Sequence, residues 1–434
     1  MTAFSLDPRP RSAVSSGVGL VGLAGLLAWV AVAWVVEGPN GERMTGPYAA
    51  LTALLACGVP MVLWSLFIDR VHRNPTTGID WDDPPRPVRD VLDISLVKLA
   101  GLWATWGLIA IIYALGRWYW SGNYLFAMEL FRTAAVPLAL ASVPYVIWLD
   151  RRLVEPRDNA WHFGQTLIGG DGVERSHVYE HLRQWAVKGF FLAFMLGIVP
   201  PNWEAVVAPR WAELAADPLR LIHFVIAGMF LVDVTFATVG YMLTMKPLDA
   251  HIRSANPYAA GWMAALICYP PFILMGPGGP LHYGNDEGTW SRLLWDQPTL
   301  IWVWGGLLVL LTAVYASATV AFGLRFSNLT HRGILTHGPY RWTKHPAYMS
   351  KNLYWWLASL PFLATNDLVE AARNTALLAI VTGVYYWRAR TEERHLMADP
   401  AYRDYAAWMA RNGPLTRLLA GKSPRPEPAM QAAE

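Results

Sequence analysis

The 434-residue chain is 54% hydrophobic and 15% charged, with 23 tryptophans and a net charge of +3. Soluble proteins carry about a quarter charged residues, so the deficit and a mean hydropathy of +0.26 argue for lipid as the solvent. The small net charge, without a basic run, argues against nucleic acid, and two cysteines inside apolar runs, Cys57 and Cys268, argue against a disulfide framework or thiolate metal site.

Hydropathy predicts about ten membrane spans, at roughly 17–36, 47–69, 94–116, 131–149, 185–200, 220–244, 257–276, 299–323, 347–365 and 373–390. The first follows Arg9 and Arg11 as a secretion signal would, but its length fits a retained helix. The fifth is short and ends in VPPNW, which predicts a tilted or re-entrant segment. In the sixth, Asp233 sits among apolar residues. A buried acid needs a partner, so it is either a packing hydrogen bond, to a Thr or Lys98 on a neighbour, or a functional group. In the seventh, small residues permit close packing and Pro270-Pro271 break or kink the helix.

With the N-terminus inside, the inside segments hold about 17 Lys and Arg against about 6 outside. Both termini are therefore expected in the cytoplasm. Two inside loops are long. Residues 70–90 read as an ordered turn or cap, and 150–185, with three histidines, as a plain cytoplasmic loop. The expected architecture is an all-α polytopic integral membrane protein. It has an N-terminal bundle of about six spans over 1–256, a C-terminal core over 257–420 and a disordered tail over 421–434.

The densest chemistry lies in THGPYRWTKHPAYMSKN, residues 336–352. Gly338 and Pro339 end a helix and fix a turn, and Pro346 opens the next helix, where a missing N–H is harmless. Arg341, Lys344 and His345 are thereby held at a membrane edge. On charge alone such a loop reads as a topology determinant touching headgroups. A second cluster, YYWRARTEERHL at 385–396, continues the tenth helix out of the membrane on the same side. Arg388 and Glu392 share a face at i,i+4, with Arg390 and Glu393 on adjoining ones. On their own these are surface ion pairs. A third, DPAYRDYAAWMARNG at 399–413, begins with a capping Asp399 and Pro400. Its Tyr402, Tyr405 and Trp408 recur every three residues, as in an interfacial helix roofing a pocket.

These three motifs, in this order, resemble the isoprenylcysteine carboxyl methyltransferase and phospholipid methyltransferase superfamily over residues 320–412. Its members carry a GPYRxxRHPxY loop, an RxxxEE helix and a Tyr-rich terminal helix. The resemblance implies a membrane-embedded methyltransferase that uses S-adenosylmethionine (SAM) on a lipophilic small molecule or lipid at the cytoplasmic face. No GxGxxG follows a strand to suggest a soluble cofactor domain. By resemblance Gly338, Pro339, Tyr340, Arg341, Lys344, His345, Pro346 and Tyr348 border the cofactor, with His337, Asn352 and Glu393 added as cofactor contacts. Arg388 and Glu392 are the expected catalytic pair. Arg388 would orient a carboxylate acceptor, and Glu392 would serve as base for an amine. The chain departs from the pattern at Lys344, which replaces Arg and loses the bidentate fork. It departs again at Ser350, where the family commonly has Gly, followed by Lys351-Asn352, which add polar groups one turn into the helix. The family's His before the loop has no aligned partner; His331 and His337 are offset.

Two other classes compete. Sterol reductases using NADPH have a similar span count and a related loop, but their RDExxCxxKYG run and PYRIxPY end are missing here. A transporter or lipid-binding scaffold would rest on Asp233.

Overall fold

The computed structural model describes residues 8–36, 43–284, 289–363 and 367–414; the expected tail at 421–434 lies outside these. The helices are α1 (Ser16–Val35), α2 (Pro47–Leu63), α3 (Val88–Gly116), α4 (Leu125–Asp150), α5 (Asn159–Leu167), α6 (Arg175–Val207), α7 (Trp211–Ala216), α8 (Pro218–Met242), α9 (Ala259–Leu266), α10 (Trp290–Leu293), α11 (Pro298–Phe322), α12 (Pro346–Ser359), α13 (Leu368–Leu396) and α14 (Pro400–Asn412). One short antiparallel pair, β1 (Ser254–Ala255) and β2 (Thr330–His331), sets Ser254 opposite His331.

Among the described residues seven helices are long and apolar enough to cross a membrane: α1, α2, α3, α4, α6, α8 and α11. Their outward faces stay apolar, as with Leu108, Ile111 and Ile112 on α3 and Val136, Leu138 and Leu140 on α4. That is what a hydrocarbon solvent selects. The expected count of ten differs in three places. The seventh span yields only the eight residues of α9, after which the chain turns through Ile267–Tyr283. The ninth gives α12, only 14 residues. The tenth gives α13, whose 29 residues suffice in length, but whose polar C-terminal turns dilute its apolarity. The fifth span differs in the other direction. Instead of a short re-entrant piece, α6 runs unbroken for 33 residues through Pro200 and Pro201. Just after the prolines, Asn202 Nδ2 donates back to the Ile198 carbonyl (2.8 Å).

The centre of the molecule is α8, whose residues from Leu231 to Tyr241 are all buried. It packs against α6 and α2 on one side and α11 on the other. Asp233 accepts hydrogen bonds from Tyr315 (2.8 Å) and Thr319 (2.5 Å) of α11. The expected Thr partner is therefore found. Lys98 is committed elsewhere, to Asp150 (2.6 Å) and Asp158 (2.9 Å). One helical face further along, the Tyr241 hydroxyl accepts from the backbone and side-chain nitrogens of Asn328.

Non-helical chain from Gly323 to His345 joins α11 to α12, and it is fastened from several directions. Arg332, fully enclosed, donates to the carbonyls of Gly240 (2.9 Å), Phe326 (2.7 Å), Leu324 (2.9 Å) and Ala250. Arg325 donates to the carbonyl of Arg332 and pairs with Asp249 (2.8 Å), which also accepts from Asn74 and Thr76 of the first long loop. That loop thus acts as the expected cap. From the other end of the sequence, Ala13 N donates to the Ile334 carbonyl (2.8 Å) and Thr336 Oγ1 to the Pro10 carbonyl (2.7 Å). Residues 10–13 and α14 thus meet the same loop, on one side of the bundle.

A Cβ added at Gly240 would lie 2.6 Å from the Phe326 carbonyl, a backbone atom that cannot step aside cheaply. Gly240→Ala is therefore expected to cost about 1–3 kcal/mol, as overpacking does. The purified variant would melt lower by thermal unfolding in detergent; an unchanged midpoint would show that α8 does not press on this loop.

Candidate functional site

The loop chemistry follows from local rules. Gly338 has φ +57°, the left-handed region where glycine is least strained, and opens a single turn over Gly338–Arg341. His345 precedes Pro346, which stands at the first position of α12 as expected. On α14, Asp399 caps through Ala401 N (2.8 Å), and Tyr402, Tyr405 and Met409 turn inward against Ile334. The Tyr405 hydroxyl donates to the Tyr340 carbonyl (2.6 Å) and fastens this helix over the loop. The inward stripe ends in Met409; Trp408 is only partly buried.

Beneath this roof lies a cavity of about 170 Å³ between α11, the Gly323–His345 chain, α12 and α13, with Tyr269 from the turn after α9. Six of the expected site residues line it: Tyr340, Lys344, His345, Tyr348, Arg388 and Glu392. Glu393 stands just behind. Its carboxylate holds Lys344 (2.5 Å), His345 (3.0 Å) and Arg390 (3.1 Å). Burial works against its charge, but the hydrogen bonds from His345 and Lys344 outweigh that and hold the carboxyl at about 2. The expected surface ion pair between Arg390 and Glu393 exists, yet Glu393 spends its other oxygen fixing the loop.

Five expected contacts fall outside the lining. His337 Nδ1 is 2.8 Å from Ser12 Oγ, so it anchors the N-terminal segment. Arg341 is exposed and lies over its neighbour Trp342. Gly338 and Pro346 shape the backbone, and Asn352 Nδ2 donates to the Tyr348 carbonyl (2.8 Å) within α12. Spacing alone could not separate these from the lining residues, because consecutive loop positions face opposite ways.

Arg388 and Glu392 do share a face, but they do not pair with each other. The Glu392 carboxylate accepts from the Tyr348 hydroxyl. Arg388, 2% exposed, donates through Nη2 to Asn328 Oδ1 (3.1 Å). Its Nε and Nη1 have no hydrogen-bond partner among the described residues. The guanidinium lies 5.1–5.5 Å from the rings of Tyr269, Tyr348 and Tyr385, faces that attract a cation. A buried guanidinium with free donors is costly unless something else accepts from them. A carboxylate, with two oxygens in the matching geometry, is the natural acceptor.

Sequence reasoning missed several lining residues: Tyr269, Tyr315, Thr319, Asn328, Tyr385 and His395. They come from four separate segments, and only Asp233, singled out as an intramembrane acid, pointed towards Tyr315 and Thr319. At the rim, His395 Nε2 is 2.9 Å from Ser254 Oγ. Burial, with His331 adding to it, pushes His395 down to about 4, so it is neutral near pH 7.

Away from the cavity, His162, Glu174 and His177 offer ligand atoms within 4.8 Å of one another. Here His162 Nδ1 accepts from the Glu174 backbone N–H (3.2 Å). That leaves the proton of the neutral ring on Nε2, the wrong tautomer for a metal at that nitrogen. The two imidazoles stack, with centroids 4.5 Å apart, and tie α5 to α6.

Residues 301–398 match the model of the Isoprenylcysteine carboxyl methyltransferase (ICMT) family. The match spans α11, the loop, α12 and α13, somewhat under a quarter of the chain, and includes every expected site residue. This stretch is thus similar to a family of membrane methyltransferases. No curated protein and no solved structure matches the chain.

Because Glu393 is held below its ordinary value of 4.5, the stability it contributes is fully present above about pH 4.5. It is lost as the pH falls through about 2. The melting difference between wild type and Glu393→Gln is expected to be largest near pH 7 and to shrink between pH 4.5 and the acid limit. A difference that stays constant through that window would mean Glu393 is not the ionised partner of Lys344 and His345.

Proposed function

We propose that the chain is a SAM-dependent methyltransferase acting on a lipophilic acceptor, a carboxylate or a lipid amine, from the cytoplasmic side of the membrane. One observation carries this reading. The methyltransferase-like stretch builds a roofed cavity that sets charged loop groups at one end and a half-free, ring-packed Arg388 at the other.

The residues fit the cofactor. Lys344 and His345 present N–H donors towards which a carboxylate would turn, and Glu392 with its neighbouring tyrosines offers acceptors and donors for an ammonium or hydroxyls. SAM, when bound, supplies an electrophilic methyl group on sulfur. The chain's own task is alignment, which is worth roughly 7–11 kcal/mol when donor and acceptor are held in line. Arg388 would bind and orient an acceptor carboxylate through its free Nε and Nη1. A carboxylate held this way would already be a nucleophile, so no residue would have to remove a proton before methyl transfer. An amine would first lose a proton, and Glu392 would take it once its bond from Tyr348 yields. Tyr402 and Tyr405 close the roof and exclude water, which strengthens each of these charge contacts.

The cytoplasmic placement is supported by the loop charges and by the meeting of residues 10–13 and α14 on one loop. On this reading residues 257–420 form the catalytic core and 1–256 brace it through α8. The irregular chain after α9 is tolerable at membrane depth because it carries Tyr269 to the cavity rather than facing lipid. Neither the reductase nor the transporter reading has an observation of its own, since Asp233 is engaged by two residues of the cavity wall.

Calorimetry on purified protein tests the proposal. S-adenosylhomocysteine or SAM should bind and NADPH should not; the reverse result sinks it. His345→Ala and Glu392→Ala should each weaken S-adenosylhomocysteine about tenfold or more, as loss of a charge-assisted hydrogen bond does, without loss of the folded state.

A further inference from the structure

The mechanism above uses the loop, Glu392 and Arg388. The same cavity is lined by a further cation that it does not use. Lys351, on α12, lines the cavity, and its ammonium lies over three rings: Tyr315 at 5.3 Å, Trp355 at 5.2 Å and Tyr385 at 5.8 Å. Arg388 lies over the same Tyr385 ring at 5.1 Å. Two cations therefore lie against one aromatic ring of the same cavity. Two of the Arg388 nitrogens have no hydrogen-bond partner among the described residues.

The acids nearby do not cancel this. Glu392 is occupied by Tyr348. Asp233 already accepts from Tyr315 and Thr319, and acts on Lys351 from behind the Tyr315 ring. Like charges repel strongly where water is scarce. An arrangement with two cations and spare donors suits an anion placed between them, and it opposes an amine. Ring faces make up most of the surrounding wall, which suits an apolar body behind the charge.

We propose that Lys351 and Arg388 form a two-cation seat for the anionic head of a lipophilic acceptor. In it Lys351 is the residue that sets acceptor charge, and Asp233 is a positioning residue that fixes Tyr315 and through it Lys351. This rests on the methyltransferase reading and narrows its acceptor to an anion. It also gives α8, outside the matched stretch, a part in specificity.

Three probes with one tail test it on the full chain in neutral detergent: hexadecanoate, hexadecanol and hexadecylamine, at a pH where the acid is ionised. Calorimetry should show hexadecanoate binding about tenfold tighter than the alcohol, with the amine weakest. Lys351→Met, of similar length but uncharged, should bring hexadecanoate to the level of the alcohol. Lys351→Arg should restore the preference, and Asp233→Asn should reduce it while leaving the alcohol unchanged. A Lys351→Met protein that keeps the preference, or that loses all three probes equally, overturns the inference. S-adenosylhomocysteine titrated into the same preparations separates the two readings. If it binds while the preference is absent, only this inference falls; if it does not bind wild type, the methyltransferase reading falls with it.

Discussion

In hydrocarbon a backbone carbonyl or N–H has no water to turn to, so chain that leaves a helix must find partners inside the protein. The segment from Gly323 to His345 does leave it, at the level where the cavity opens. Arg332 makes this possible. Its guanidinium presents five donors in a fixed fork, and they are distributed over carbonyls of α8, of its own segment and of the chain before β1. Through Arg325, the Asp249 carboxylate extends the same network to the loop after α2. The loop before α12 is thus an irregular chain held by a rigid frame. Such a frame is what precise alignment of two reactants requires.

The frame explains why the helices before the methyltransferase-like stretch matter chemically. Asp233 and Tyr241 lie two turns apart on α8. One reaches Tyr315, and the other reaches Arg388 through Asn328. Tyr315 and Arg388, which both line the cavity, are thereby steadied from the same buried helix. Small movements of α8 would move both together.

Much of the local detail was legible in the sequence because it obeys short-range rules. Gly338 at positive φ, Pro346 and Pro400 at first helical positions, Asp399 as a cap and the i,i+4 relation of Arg388 to Glu392 all follow from backbone geometry. The spans were less legible. Hydropathy measures apolarity and not continuity, so α6 was cut short at its prolines and the α9 region was drawn as a full crossing. The expected site residues that lie outside the lining share a cause. His337 and Asn352 are polar groups on the right elements, but His337 is drawn to Ser12 across 325 residues and Asn352 bonds back along its own helix. Conversely Asn328 and Tyr269 have no local signature, and only the tertiary meeting of α8, α13 and the α9 turn gives them a role.

The binding of residues 10–13 to the loop has a consequence for assembly. They are made before their partners Ile334 and Thr336, which come more than 300 positions later. Contacts of such separation form late, after the intervening helices have packed. The wall that this loop gives the cavity is therefore finished only once residues 10–13 and α14 have closed on it.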